Sequence, residues 1–79
     1  MLKVKILSSE KLHYEGLAKS VKLPGEDGSF AIFPLHSPII SSLVKGRVVL
    51  TDSKGDEKYF DIDGGCADLH EDNLDILIS

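Results

Sequence analysis

Apolar and polar residues alternate one for one along most of this chain, and a period of two is the pattern of strands with one face buried. Leu2, Val4 and Ile6 alternate with Lys3 and Lys5. Leu12 and Tyr14 alternate with Lys11, His13 and Glu15, and Leu17, Val21 and Leu23 share a side opposite Ser20 and Lys22. Gly16 is expected to bend or bulge the chain between these two strands. Phe30 to Phe33 reads as a short strand ended by Pro34, and Arg47 to Thr51 as a β-branched strand. Lys58 to Ile62 returns from a hairpin loop at Asp52–Asp56, with Gly55 suited to a left-handed position. After the Gly64-Gly65 interruption, Cys66 to Leu69 is short, His70 to Asn73 is a turn, and Leu74, Ile76 and Ile78 form a last strand. No segment has helical periodicity. Eight or nine short strands with turn signals about every 7–12 residues predict an all-β sandwich or barrel.

At 79 residues the chain suits one small domain with a thin margin of stability. Nothing staples it. Cys66 is the only cysteine, which excludes an intrachain disulfide and a cysteine-pair zinc site, and fits a reducing compartment. Thirteen acids against nine bases give a formal charge of −4, which argues against nucleic acid as a partner. The bases Lys3, Lys5, Lys11, Lys19 and Lys22 lie early, whereas Asp52, Asp56, Glu57, Asp61, Asp63, Asp68, Glu71, Asp72 and Asp75 lie late. That asymmetry could orient the domain in a complex, and it is equally what a solvated surface gives. No apolar run reaches the roughly 18 residues of a membrane helix. The first residues do not read as a signal peptide, so the expectation is a soluble chain whose membrane contact runs through a partner.

The residues do not assemble into recognisable chemistry. His13, His36 and His70 lack ligand spacing, so no metal site is expected. Asp52-Ser53-Lys54-Gly55-Asp56-Glu57 departs from a calcium loop, with Lys54 at a ligand position and Glu57 at the place of the turn glycine. Asp61 and Asp63 fit a strand face turned to solvent as well as a paired-carboxylate site. Ser8-Ser9-Glu10-Lys11 and Ser42-Leu43-Val44-Lys45 match S-x-x-K without its companion motifs. The glycines form no phosphate-binding pattern, and Gly64-Gly65 reads as a bulge or a close backbone approach. No cofactor and no catalytic residue are expected.

One segment stands apart. Leu23 to Leu43 is short of charge and rich in Gly and Pro. Phe30, Ile32, Phe33, Leu35, Ile39 and Ile40 crowd around Pro34 and Pro38 in what reads as loop. Such a loop either plugs its own core or docks on another protein. Phe30 and Ile32 are expected to turn inward, and Leu35 to Ile40 outward. His36 is expected to tie down loop carbonyls or meet a partner.

The same segment carries a family likeness. Leu23-Pro24-Gly25-Glu26-Asp27-Gly28, then Ile32-Phe33-Pro34-Leu35-His36-Ser37-Pro38 and Ile39-Ile40, resemble the V-P-G-x-x-G-x-x-G-I-L-P-G-H-A-P-L-L pattern of the epsilon subunit of F-type ATP synthases. Lys45-Gly46-Arg47-Val48-Val49 is similar to its K-P-G-V-V, Asp63-Gly64-Gly65-Cys66 to its S-G-G-F, and Asn73 to Leu77 to its N-x-V-T-V-L ending. The set runs in order over nearly the whole chain. Ala31 and Leu35 depart from the family, which usually has Gly at both places, and Cys66 replaces an aromatic.

The resemblance implies a small flattened β-sandwich of about ten strands and a non-catalytic place in the central stalk. Its implied partners are the gamma subunit and the c ring, at the cytoplasmic face of a bacterial inner membrane. Gly28, Ser29, Phe33, Pro34, Leu35, His36, Ser37, Pro38, Ile39 and Ile40 would form that partner interface. Longer members add a C-terminal helical hairpin, so its inhibition of ATP hydrolysis and its nucleotide binding are expected to be absent here. A free-standing module using the same loop for a peptide or small ligand is the alternative expectation. A small hydrolase using His36 with a nearby Ser is a remote third.

Overall fold

A computed structural model describes residues 1–79. The chain is all β, with eight strands and no helix. They are β1 (Leu2–Leu7), β2 (Leu12–Gly25), β3 (Gly28–Ile32), β4 (Ile39–Leu43), β5 (Gly46–Asp52), β6 (Glu57–Ile62), β7 (Gly65–His70) and β8 (Asn73–Ile78). The molecule is flattened, measuring 27 × 24 × 18 Å.

The long strand β2 belongs to both layers. Its first half pairs antiparallel with β1, which runs parallel to β8, and β7 and β4 continue that layer. Its second half lies between β3 and β5, with β6 at the far edge. A single bridge, Gly25 to Leu43, links β2 to β4. The two layers enclose fifteen buried apolar residues, Leu2, Val4, Ile6, Val21, Leu23, Ile32, Val48 and Leu50 among them. No polar or charged side chain is buried. The core is thus built from the inward positions of alternating strands, as in other sandwiches.

The alternation changes phase in one place, which corrects two expectations. β2 is continuous through Gly16, where a Cβ would meet the Tyr14 hydroxyl. The irregularity is instead a shift in pairing with β5 between Ala18 and Ser20. Tyr14, Gly16 and Ala18 face inward before it, and Val21, Leu23 and Gly25 after it. One extra residue at a bulge moves every later side chain to the other face. Leu17 therefore points outward, 48% exposed, and does not share a side with Val21 and Leu23.

A further correction concerns Ile39–Leu43, which the sequence reads as loop. It is a strand, β4, paired with β7 from Ile39–Leu69 to Leu43–Gly65. Ile39 and Leu43 turn toward the core, and Ile40 turns out.

Candidate protein-docking site

The segment from Ile32 to Ile40 crosses from the end of β3 to the start of β4. Pro34 and Pro38 preset φ and donate no backbone hydrogen bond, so the crossing is stiff and is not a strand. Ile32 is buried, and Phe30 and Ile39 pack against the core from its margin. The other large side chains point to solvent: Phe33 is 59% exposed, Leu35 92% and Ile40 79%. Gly28, Ser29, His36, Ser37 and Pro38 are exposed with them, and Pro34 is half-buried. Gly28 to Leu43 contains no Asp, Glu, Lys or Arg. The result is an apolar, uncharged projection on a chain of net charge −4.

Two hydrogen bonds hold its tip. The His36 Nδ1–H donates to the carbonyl of its neighbour Ser37 at 2.6 Å, which ties down a loop carbonyl. The Leu35 N–H donates to Asp72 Oδ1 at 2.7 Å. Asp72 lies 37 residues on, in the tight turn between β7 and β8, where Glu71 and Asp72 take φ of 47° and 62°. Turns of this kind match the twist of a two-residue hairpin. Leu35 itself takes φ of 67°, a left-handed conformation that costs a side-chain-bearing residue about 1–2 kcal/mol. Beside it, Pro38, Ile39, Ile40, Asp68, Leu69 and His70 line a shallow open hollow.

Elsewhere the ionisable groups serve structure. His13 Nε2 lies 3.0 Å from Ser8 Oγ, a pairing the sequence reading missed. That hydroxyl, however, accepts the N–H groups of Glu10 and Lys11 at 3.3 Å each, so Ser8 ties the β1–β2 turn. An activated nucleophile instead needs a rigidly oriented base beside a free hydroxyl. A second groove, lined by Lys3, Lys5, Glu15, His70, Asn73 and Asp75 with other residues, is open and charged. No three His, Cys, Asp or Glu side chains converge.

The Asp52 loop is a capped hairpin. Its Oδ1 accepts the N–H groups of Lys54 and Asp56, each at 2.9 Å, and its Oδ2 lies 3.7 Å from Lys58 Nζ. Gly55 takes φ of 91° and donates its N–H to the Asp52 carbonyl at 3.0 Å. Burial pushes the Asp52 carboxyl up. The N–H groups of Asp56 and Lys54, with the charges of Lys58 and Lys54, outweigh that and hold it below the usual carboxylate range. A lowered folded-state pKa stabilises the fold above the unfolded value and is lost as pH falls through the folded one. The hairpin is therefore expected to stay ordered from neutral pH down to about 4, then loosen in stronger acid. Amide exchange at Lys54 and Asp56 against pH checks this, and Asp52→Asn should flatten the dependence.

A two-layer sandwich with no buried ionisable side chain, presenting a stiff uncharged projection, has the features of a protein-binding module. The family model for the ATP synthase Delta/Epsilon chain beta-sandwich domain matches residues 1–79, and this chain belongs to that family. An ATP synthase epsilon chain from Leptospira interrogans is 35% identical over 77 residues, spanning 96% of this chain and 59% of that one. Another from Alkalilimnicola ehrlichii is 32% identical over 76 residues, spanning 96% and 54%. The chain thus spans little more than half the length of these relatives. Its fold matches a chain in the cryo-EM structure of Euglena gracilis mitochondrial ATP synthase (OSCP/F1/c-ring), with TM-score 0.89 and 14% identity over 98% of this chain and 49% of that one. A chain of the Tetrahymena thermophila mitochondrial ATP synthase central stalk and c ring matches with TM-score 0.78 and 15% identity, over 98% and 62%.

Proposed function

We propose that this chain is a non-catalytic rotor subunit of an F-type ATP synthase, docking on the gamma subunit and the c ring through Gly28–Ile40. It works at the cytoplasmic face of a bacterial inner membrane and reaches that membrane only through the complex. Family membership over the whole chain supports the assignment. The observation that carries the docking face is the uncharged projection bearing Phe33, Leu35 and Ile40.

The fold suits the task mechanically. A rotor part must pass torque without yielding. Here one strand of 14 residues runs through both layers, and 40 backbone hydrogen bonds lie within the strands. Close-packed interiors of this kind deform little. Pro34 and Pro38 limit the conformational freedom lost on docking.

The test is recovery of the tagged chain from detergent-solubilised membranes of its own source. Gamma and c subunits should come with it in fixed proportion. Recovery of the chain free of every ATP synthase subunit would overturn the proposal.

A further inference from the structure

The layer made by β3, β2, β5 and β6 has two outer edges of different character. β3 pairs only with β2, and β6 only with β5. Each therefore leaves a row of backbone N–H and C=O groups without a strand partner. Such rows invite pairing with another chain, and proteins guard them with charged side chains, prolines, bulges or a covering segment. β6 is guarded, because Glu57, Lys58 and Asp61 are three of its six residues. β3, Gly28-Ser29-Phe30-Ala31-Ile32, has no charged residue and no proline. Its register against β2 runs without a bulge from Val21–Ile32 to Gly25–Gly28. The other open edges are protected. The first half of β2 carries His13 and Glu15. β4 follows Pro38 and is covered at its far end, where the Glu26 N–H donates to the Ser42 carbonyl and the Val44 N–H to the Pro24 carbonyl. β3 is the one edge left unguarded.

We infer that the free chain forms a two-fold dimer in which β3 pairs antiparallel with β3 of a second copy. The inference is independent of the stalk assignment. A register centred on Phe30 uses all five residues. It sets Ser29 opposite Ala31 of the second copy, Gly28 opposite Ile32, and the two Phe30 side chains together at the axis. Residues directly opposite on antiparallel strands share a face and interact. Ser29 and Ala31, both exposed, thus stay on the outer face. Small residues meet small or large ones throughout, and no charges are brought together, although each chain carries −4. The strand is self-complementary in this register, which favours a second copy as its occupant. Each copy offers one such edge, so a two-fold contact closes at two. A five-residue seam is small, which makes the dimer weak. Gly28 and Ser29 also belong to the segment proposed above for docking, so a paired copy is an unassembled form of the chain.

The experiment is sedimentation equilibrium of the 79-residue chain, with amide exchange at both ends of the concentration range and a thermal melt of every variant. Monomer should give way to dimer between about 10 μM and 1 mM, with no larger species. Over that range exchange should slow at Gly28–Ile32 and stay unchanged at Glu57–Ile62. Ser29→Lys with Ala31→Lys sets like charges across the seam and should weaken dimerisation about tenfold or more. Ser29→Glu with Ala31→Glu should do the same. Both side chains are exposed, so each variant should keep the parent Tm. Mixed in equal amounts, the two variants should dimerise again, because every introduced lysine then opposes an introduced glutamate.

A parent chain that stays monomeric at about 1 mM overturns the inference while the stalk assignment stands. A dimer that tolerates the introduced lysines overturns it, and so do folded variants that fail to recover on mixing. Growth beyond two copies, or slowed exchange at β6 or at Leu35–Ile40 with β3 unchanged, assigns the contact to another surface and overturns it as well. If a variant melts well below the parent, the exchange pattern of the parent decides alone.

Discussion

Gly65→Ala is expected to lower stability by about 3 kcal/mol or more, a fall in Tm of roughly 12–24 °C for a domain of this size. Two effects act together. Gly65 takes φ of 149°, a backbone shape that L-residues rarely adopt. A Cβ there would also run into the Leu77 carbonyl oxygen and lie 3.0 Å from the Ile78 Cα. The backbone has no room to yield, because Gly65 opens β7 between two partners, Leu43 of β4 and Ile78 of β8. Gly28→Ala separates the two effects. Gly28 takes φ of 122°, but nothing lies within 4 Å of a Cβ built on it. It should cost only the backbone strain, about 1–2 kcal/mol. Thermal melts followed by circular dichroism compare the two, and equal losses would mean that the contact with Leu77 contributes nothing.

The double variant Leu35→Asp with Ile40→Asp should lose docking while keeping the fold. Both side chains are largely exposed, so the carboxylates stay solvated in the free domain and its Tm should change little. In the complex they would be desolvated against an apolar surface, a penalty of several kcal/mol. Binding to the gamma–c-ring assembly should weaken by about 100-fold or more. Ile39→Asp is the wrong probe for this question. Ile39 packs against the core, and a charge there should cost about 3 kcal/mol of folding stability. Its loss of binding would then report unfolding. Full binding by the folded Leu35→Asp, Ile40→Asp variant would remove the docking role of this face.

The features legible in the sequence are local. The alternation of Leu2, Val4 and Ile6, and the hairpin from Arg47 to Ile62, needed only period and turn chemistry. The Gly64-Gly65 pair reads as a bulge or a close backbone approach, and the Leu77 carbonyl beside Gly65 is the second of these. The phase change in β2 was not legible, because Ala18-Lys19-Ser20 contains neither Gly nor Pro to mark a bulge. β4 was hidden for a different reason. Pro38 precedes it and Ser41-Ser42 occupies its middle, so its strand character comes from pairing with β7 and not from local preference. Ile32 turns inward and Leu35 and Ile40 turn outward as expected, but Ile39, expected outward with them, packs against the core because β4 pairing sets its face. The clamp from Asp72 to Leu35 was not legible, since residues 37 apart meet only through the fold.

The central claim is that the uncharged segment from Gly28 to Ile40 is the docking face. Hydrogen–deuterium exchange of the chain, free and bound to the gamma–c-ring assembly, tests it most directly. New protection is expected to concentrate at Gly28–Ile40 and at the Glu71–Asp72 turn beside it, with the Asp52–Asp56 hairpin unchanged. Protection confined to β5 and β6, with Gly28–Ile40 exchanging as in the free chain, would contradict it.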